Sequence, residues 1–515
     1  MVTITRRSGR NKQRVLAHWC ILAQFAMDQR FKVGLVLFSV AAMPRLLGAS
    51  FLPNTFGDAY VYIRDIGNLS TKIKTGTFAV TDLYGFWLPL YQFFAALINV
   101  FVGNGFYTGK IVAALFGVGV CLLVYGITLQ LVEHKAAAFL SFLLIALSPL
   151  HILTSTSALT DVPHAFFILA ALYFVLNRRW LVAAIFAALA GLTRVEGWML
   201  IALIPALQFW KERGVSMAAL LIMLVPPLFW FWVSWKAAGD WLATFKVRQQ
   251  YHDWLLQQNP ALQHFTLPGI MKDSAMFLSG VDVAVLIAAF VAGWLVLRKL
   301  TRKKRDGRQD VESITPPLLF FFSFLALLTI AYLTHQQPII FPRYGLILFS
   351  IGIPILAWTY FAIKKRRPDV SRRVIVGIFV LCVFNASAQF AGAIGELNRY
   401  SAQRRVADYL HANFDPTNMR IFCDEGTVRA LSGISERAFV MSPEAPKDQR
   451  KFIGFLKDRG VEYVVIAKEP ESTPRKLFPE LDSGGSNEFF QRDFQVSSRF
   501  LPTEIWVYKF VSQAP

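Results

Sequence analysis

The strongest constraint on this chain is a series of long, uninterrupted apolar runs, at about 31–49, 106–132, 136–150, 163–177, 216–235, 281–298, 316–334, 343–363 and 374–393. A helix needs roughly 20 apolar residues to cross a ~30 Å hydrocarbon core. Runs without alternation read as spanning helices, since barrel strands alternate lipid-facing and lumen-facing side chains. A hydrophobic content of 55% and a mean hydropathy of +0.44 agree. The expected fold class is an α-helical polytopic membrane protein with a small soluble domain after its last span.

A net charge of +20 could point to nucleic acid. The basic residues, however, cluster in short loops between apolar runs, the pattern of cytoplasmic loops on anionic lipid. Membrane lipids are therefore expected partners, and nucleic acid is not. Residues 1–30 are basic and carry no compact apolar stretch ending in small residues, so they read as a cytoplasmic segment rather than a cleavable signal. Of the four cysteines only Cys423 lies in the hydrophilic tail, so no disulfide can form within that tail.

Two regions are ambiguous as spans. Residues 88–103 are short and carry Pro89, Gln92 and Asn99, and residues 180–210 are interrupted by Thr193-Arg-Val-Glu-Gly197. Charge resolves both. The N-terminus, Arg178-Arg179, residues 298–308 (RKLTRKKRDGR), residues 364–373 (KKRRPDVSRR) and the weaker Lys211-Glu-Arg213 should share one side. They do so if 88–103 is an interfacial or re-entrant helix and 180–210 is a hairpin turning at Arg194–Glu196. The result is about eleven spans in the inner, or cell, membrane, with the N-terminus cytoplasmic and the C-terminus exoplasmic. The exoplasmic side then holds 50–105, 151–162, the turn at 194–196, the large loop 236–280, 335–342 and the tail. Domain expectations follow: 1–30 cytoplasmic, 31–393 transmembrane with a functional first loop at 50–105, and 394–515 soluble α/β.

In the tail, residues 396–413 read as an amphipathic helix, and 420–424 and 461–467 (VEYVVIA) as strands. Residues 447–459 have helical apolar spacing, and 504–510 read as a closing strand. There is no phosphate loop, zinc spacing or nucleophile elbow in this region.

Parity collects a set of polar residues on the exoplasmic side: Asp58 in GDAYVYIRD with Tyr60 beside it, Asp161, Arg194 and Glu196, Lys246 and Arg248, and His335 and Arg343. Each half of the 180–210 hairpin has about 14 residues, or roughly 21 Å of helix. The turn should thus sit below the membrane surface, where ionisable groups face a protein cavity and are functional candidates. Blander readings stand beside this one: an ion pair for Arg194 and Glu196, a solvated face for Lys246 and Arg248, and an ordinary loop histidine for His335. Arg45, inside the first span, should snorkel or pair.

Carboxylates facing arginines at an exoplasmic membrane boundary suit glycosyl transfer from a polyprenyl-phosphate sugar. The attacking hydroxyl needs a carboxylate base, the leaving phosphate needs fixed cations, and an oxocarbenium-like centre gains from a nearby carboxylate. The layout resembles the GT-C superfamily of integral-membrane glycosyltransferases. It is most similar to bacterial members like the protein O-mannosyltransferases and the aminoarabinose transferase of lipid A, and more distantly to oligosaccharyltransferase catalytic subunits. The matching segments are Asp58 in its loop, Trp87-Leu-Pro-Leu-Tyr91, Leu147-Ser-Pro-Leu-His151 leading to Ser157-Ala-Leu-Thr-Asp161, Gly191-Leu-Thr-Arg-Val-Glu-Gly197 and Pro342-Arg343-Tyr344.

The resemblance covers residues 31–393 and implies an inverting transfer. It makes Asp58 the catalytic or acceptor-orienting acid, Asp161 its assistant and Arg343 the donor-phosphate ligand, with Arg194, Lys246 and Arg248 as further phosphate-binding candidates. It implies a polyprenyl-phosphate-linked sugar as donor and a glycan, lipid or protein as acceptor. Many relatives have paired acids in the first loop where this chain has Asp58-Ala59-Tyr60, which leaves a divalent metal open. A flippase of lipid-linked sugars would use a similar cavity without a base, and would be marked by inverted repeats that this sequence does not display. A polysaccharide polymerase or ligase is a third alternative.

Overall fold

The computed structural model describes residues 32–258, 265–301, 308–337, 339–415, 419–432, 434, 438–441, 445–468, 472–497 and 504–511. The basic segment 1–30 and the centre of the basic loop 298–308 lie outside these residues. Among the described residues, seven helices are long and apolar enough to cross a membrane. They are α1 (Lys32–Phe51), α4 (Gly105–Val132), α10 (Met217–Ala238), α13 (Val283–Thr301), α14 (Arg308–Leu333), α15 (Leu346–Arg366) and α16 (Pro368–Asn398). Between them lie the shorter α2 (Gly57–Lys74), α3 (Leu90–Val102), α5 (Lys135–Ala146), α6 (Pro149–Ser155), α7 (Asp161–Leu176), α8 (Trp180–Thr193), α9 (Leu200–Glu212), α11 (Ala243–Gln258) and α12 (Leu267–Val281).

The apolar run at 136–150 is not one straight helix. The chain bends by 61° between α5 and α6. Pro149 lacks an N–H and favours an extended residue before it, so Ser148 leaves the helix and its side chain caps the next one at His151 N. A helix end leaves its last carbonyls without partners. Here the Arg45 guanidinium takes two of them, donating to Ala146 O at 3.1 Å and Ile145 O at 3.3 Å. It also meets His151 Nδ1 at 2.7 Å. Arg45 is fully buried, so it pairs inside the bundle rather than snorkelling.

Residues 151–162, expected on the exoplasmic side, are packed inside the protein. Thr154, Ser155 and Ser157 return their hydroxyls to backbone carbonyls one turn back. Asn54 Oδ1 accepts from Ala158 N at 3.1 Å, fastening this segment to the first loop. Residues 180–210 do form a hairpin. Its turn is a one-turn helix, Val195–Met199, pressed so closely on the end of α8 that a Cβ at Gly197 would stand 2.6 Å from Ala190 C. Residues 88–103 yield α3, with 13 residues too short for a ~30 Å core and packed on α2 and α4.

The ends of the bundle differ in charge. Gln130 donates to Asn177 at 2.9 Å, His134 stacks near Phe361 at 5.1 Å, and Trp180 donates to Glu212 at 2.6 Å. These contacts bring Lys135, Arg178, Arg179, Lys211, Arg213 and the start of 364–373 to one end. Asp58, Asp161, Arg194, Glu196 and Arg343 assemble away from it.

The tail forms a five-stranded sheet in the order β2-β1-β3-β5-β4, from β1 (Arg420–Cys423), β2 (Phe439–Met441), β3 (Val461–Ala467), β4 (Phe490–Ser497) and β5 (Glu504–Phe510). β1 runs parallel to β2 and β3, whereas β5 is antiparallel to both β3 and β4. Tyr463, Val465 and Ala467 pack under α17 (Ser401–Asn413), and Val464 and Ile466 pack on the other face with α19 (Gln449–Asp458). Burial on both faces explains why this strand reads as a continuous apolar run. The strand expected to close the sheet, 504–510, is internal. The edge is β4, whose polar sequence hides it from a periodicity search. The amphipathic helix expected from 396 starts at Ser401, because α16 continues to Asn398.

Candidate functional site

Asp58 is the second residue of α2, in the first turn, where the helix dipole favours a carboxylate. Asp161 opens α7 in the same way. Arg343 lies in a one-turn helix, Pro342–Gly345, that leads into α15. That turn crosses α12 backbone against backbone: a Cβ at Gly280 would stand 2.0 Å from Pro342 O, and one at Gly345 would stand 2.7 Å from Gly280 C. Only glycine at both positions permits the crossing, and the crossing fixes where Arg343 begins.

Arg343 donates from Nη2 to Asp58 Oδ2 at 2.5 Å. Its side chain is 8% exposed, against 40% for Asp58. Rings surround the guanidinium, with centroids at 5.0 Å for Phe56, 5.4 Å for Phe341 and 5.5 Å for Tyr344. Its Nε and Nη1 are buried and have no hydrogen-bond partner among the described residues.

Arg194 ends α8 in an extended conformation and links two further acids. Nη2 donates to Glu196 at 2.8 Å, and Nη1 reaches Asp161 Oδ1 at 3.4 Å. Asp161, Arg194, Glu196 and Arg343 line one small, partly open pocket of about 40 Å³. Its other walls are His164, Tyr344 and the apolar Phe324, Leu328, Leu346 and Ile347.

The remaining candidates fall around this cavity or outside it. Arg248 donates from Nε to Phe86 O at 2.9 Å and lies over the Phe86 ring at 5.3 Å, within the field of Glu196 and Arg194. Tyr60 donates to Asn54 O at 3.0 Å and meets Tyr400 edge-on at 5.8 Å, so it joins the first loop to the start of the C-terminal domain. Lys246 pairs with Asp240 at 2.5 Å with 65% of its side chain exposed, as a solvated face would. His335 stacks on Phe265 at 4.5 Å and does not line the cavity.

Sequence reasoning missed His164, and it gave no role to Tyr344, Thr160 and Tyr62, which lie in segments it quoted. Asp161 and His164 stand at i and i+3 on one helix face, a spacing that was available to find. Tyr62 meets Thr160 through their hydroxyls at 3.2 Å and contacts Trp87 at 4.9 Å, which no pattern indicates. For a divalent metal, no group of three or more His, Cys, Asp or Glu side chains comes together among the described residues. The acids present are met by arginines, and such a donor set does not fit a dication.

Residues 98–240 match the family model for dolichyl-phosphate-mannose-protein mannosyltransferase. Among curated proteins, none matches the chain by sequence. Two solved structures share its fold. One is ArnT from Cupriavidus metallidurans bound to undecaprenyl phosphate, with a TM-score of 0.54 at 12% identity, covering 94% of this chain and 99% of that one. The other is ArnT from the same organism in the apo state, with the same TM-score and identity, covering 95% and 99%. The family match is confined to residues 98–240, and the likeness to the two ArnT structures is one of fold.

Proposed function

We propose that this protein moves a sugar from a polyprenyl-phosphate-linked donor to an acceptor hydroxyl on the exoplasmic side of the membrane, with inversion at the sugar carbon. The reading rests chiefly on Arg343. A buried guanidinium with two nitrogens unpartnered among the described residues is costly to keep. A phosphate offers the planar pair of oxygens that this fork matches. Arg194, beside Asp161, is the second cation along the cavity, and the apolar wall suits the start of a polyprenyl chain. ArnT, which shares the fold, was solved with undecaprenyl phosphate.

In this reading Asp58 is the general base. It is held by Arg343 and half-exposed toward incoming acceptor. When a donor phosphate takes over the guanidinium, the carboxylate is released to accept the hydroxyl proton as the oxygen attacks the sugar carbon. The negative charge growing on the departing phosphate then meets Arg343 and Arg194. Asp161, 9% exposed and held by Arg194, orients the acceptor or steadies the cationic sugar. The eleven-span arrangement belongs to the same proposal, counting α5 with α6 as one span and α7, α8 and α9 as three short ones. The C-terminal domain, reached through Tyr400 beside Gly57, shapes the acceptor side.

The test is incubation of purified protein with a polyprenyl-phosphate sugar and candidate acceptors. A glycosyltransferase releases polyprenyl phosphate and forms a glycosylated product. Movement of intact donor across a vesicle without its cleavage would instead favour the flippase.

A further inference from the structure

A second cavity lies at the basic end of the bundle, away from the site. It is an open groove of about 480 Å³ between α1, the end of α4 and the start of α5. Leu37, Val36, Tyr125 and Phe139 give it an apolar floor and walls, with Lys32 and Lys135 among its lining residues. Lys135 begins α5 and Lys32 is the first described residue of α1, so both ammonium groups stand at the same end of the bundle. The walls remain open to the surroundings, with Val36 at 56% and Phe139 at 40% exposure. Further cations stand nearby on the same end, including Lys364 over the Phe361 ring that His134 also touches.

We propose that this groove holds one anionic glycerophospholipid, with an acyl chain along Val36, Leu37 and Phe139 and its phosphate between Lys32 and Lys135. Both halves of the ligand are required. The groove alone would take any acyl chain, whereas the paired cations at its rim select a headgroup with net negative charge. A basic pocket between spanning helices is the arrangement that recognises such headgroups. The lipid would tie α1 to the α4–α5 corner, on the end opposite the chemistry, and the inference does not depend on the proposed reaction.

The test uses the full-length protein in detergent, titrated with phosphatidylglycerol or phosphatidylcholine and read by native mass spectrometry. The wild type should retain one phosphatidylglycerol in clear preference to phosphatidylcholine. Lys32→Gln and Lys135→Gln should each weaken that preference by about fivefold. Both lysines are exposed, so these variants should fold. Ala136→Trp fills the groove and should lower retention of both lipids while leaving sugar transfer unchanged. Equal retention of the two lipids by the wild type, or an undiminished preference in the double glutamine variant, would overturn the proposal. So would lipid binding that appears only after residues 1–31 are removed, since the chain itself would then be the occupant.

Discussion

Replacing Arg343 by lysine isolates what its planar fork contributes. The variant keeps the charge, and an ammonium at that position can still meet Asp58, which sits 2.5 Å from Nη2 in the wild type. It loses the two nitrogens unpartnered among the described residues, Nε and Nη1, together with the flat surface that faces Phe56, Phe341 and Tyr344. A charge-assisted hydrogen bond contributes about 1.5–3 kcal/mol. Since the flexible ammonium recovers part of this, the net loss corresponds to about one such bond, or roughly 10²-fold in kcat/KM. The assay is release of polyprenyl phosphate from a radiolabelled donor at sub-saturating concentration, with the melting temperature of the purified variant as a folding control. Asp58→Asn in the same background separates the two roles of the guanidinium. If Arg343 acts on the donor phosphate, the lysine defect persists when the Asp58 charge is gone. A rate within about threefold of wild type, well below the value of one charge-assisted bond, would refute the assignment and leave Arg343 as a structural partner of Asp58.

Asp58→Asn should lower turnover by roughly 10²-fold or more while donor binding is retained, and Asp161→Asn should be milder; the reverse order, measured by the same release assay, would move the base to the second acid. Adding a chelator to the wild type should leave the rate unchanged, because arginines rather than a dication face these acids. Thr77→Cys, on an exposed stretch beyond α2, should react with an impermeant maleimide in intact cells and Lys135→Cys only after permeabilisation; the opposite pattern would invert the assigned sides.

The bundle was legible because bilayer crossing imposes length and apolarity, and both are properties of single segments. The hairpin at 180–210 could be inferred from its two short halves and its charged turn. The break at Ser148–Pro149 could have been read from the proline, yet the surrounding run looked like one span. The burial of residues 151–162 was hidden in the sequence for a deeper reason. Their hydroxyls resemble those of a solvent loop, and only their return to carbonyls of the same turn makes burial tolerable. For the site, chain parity grouped Asp58, Asp161, Arg194, Glu196 and Arg343, which lie near one another in the structure. It could not distinguish Lys246 or His335 from them, because parity sorts residues by membrane end and says nothing of distance within that end. Of the contacts that hold Arg343, the Phe341 and Tyr344 rings are sequence neighbours, whereas Gly280 and Phe56 come from distant segments and leave no local trace.

The Arg45 contact has a consequence for how the protein is made. Arginine at the centre of an inserting helix costs about 2.5–3.5 kcal/mol. The carbonyl of Ala146 that relieves Arg45 lies 101 residues further along the chain. The first helix, in which Arg45 also donates to Ala41 O, is therefore made before the Ile145 and Ala146 carbonyls that complete its hydrogen bonding. Its secure residence in lipid and the completion of the α5–α6 corner are one coupled event, so shortening the chain between them, or removing the corner, should leave the first helix poorly retained by the membrane.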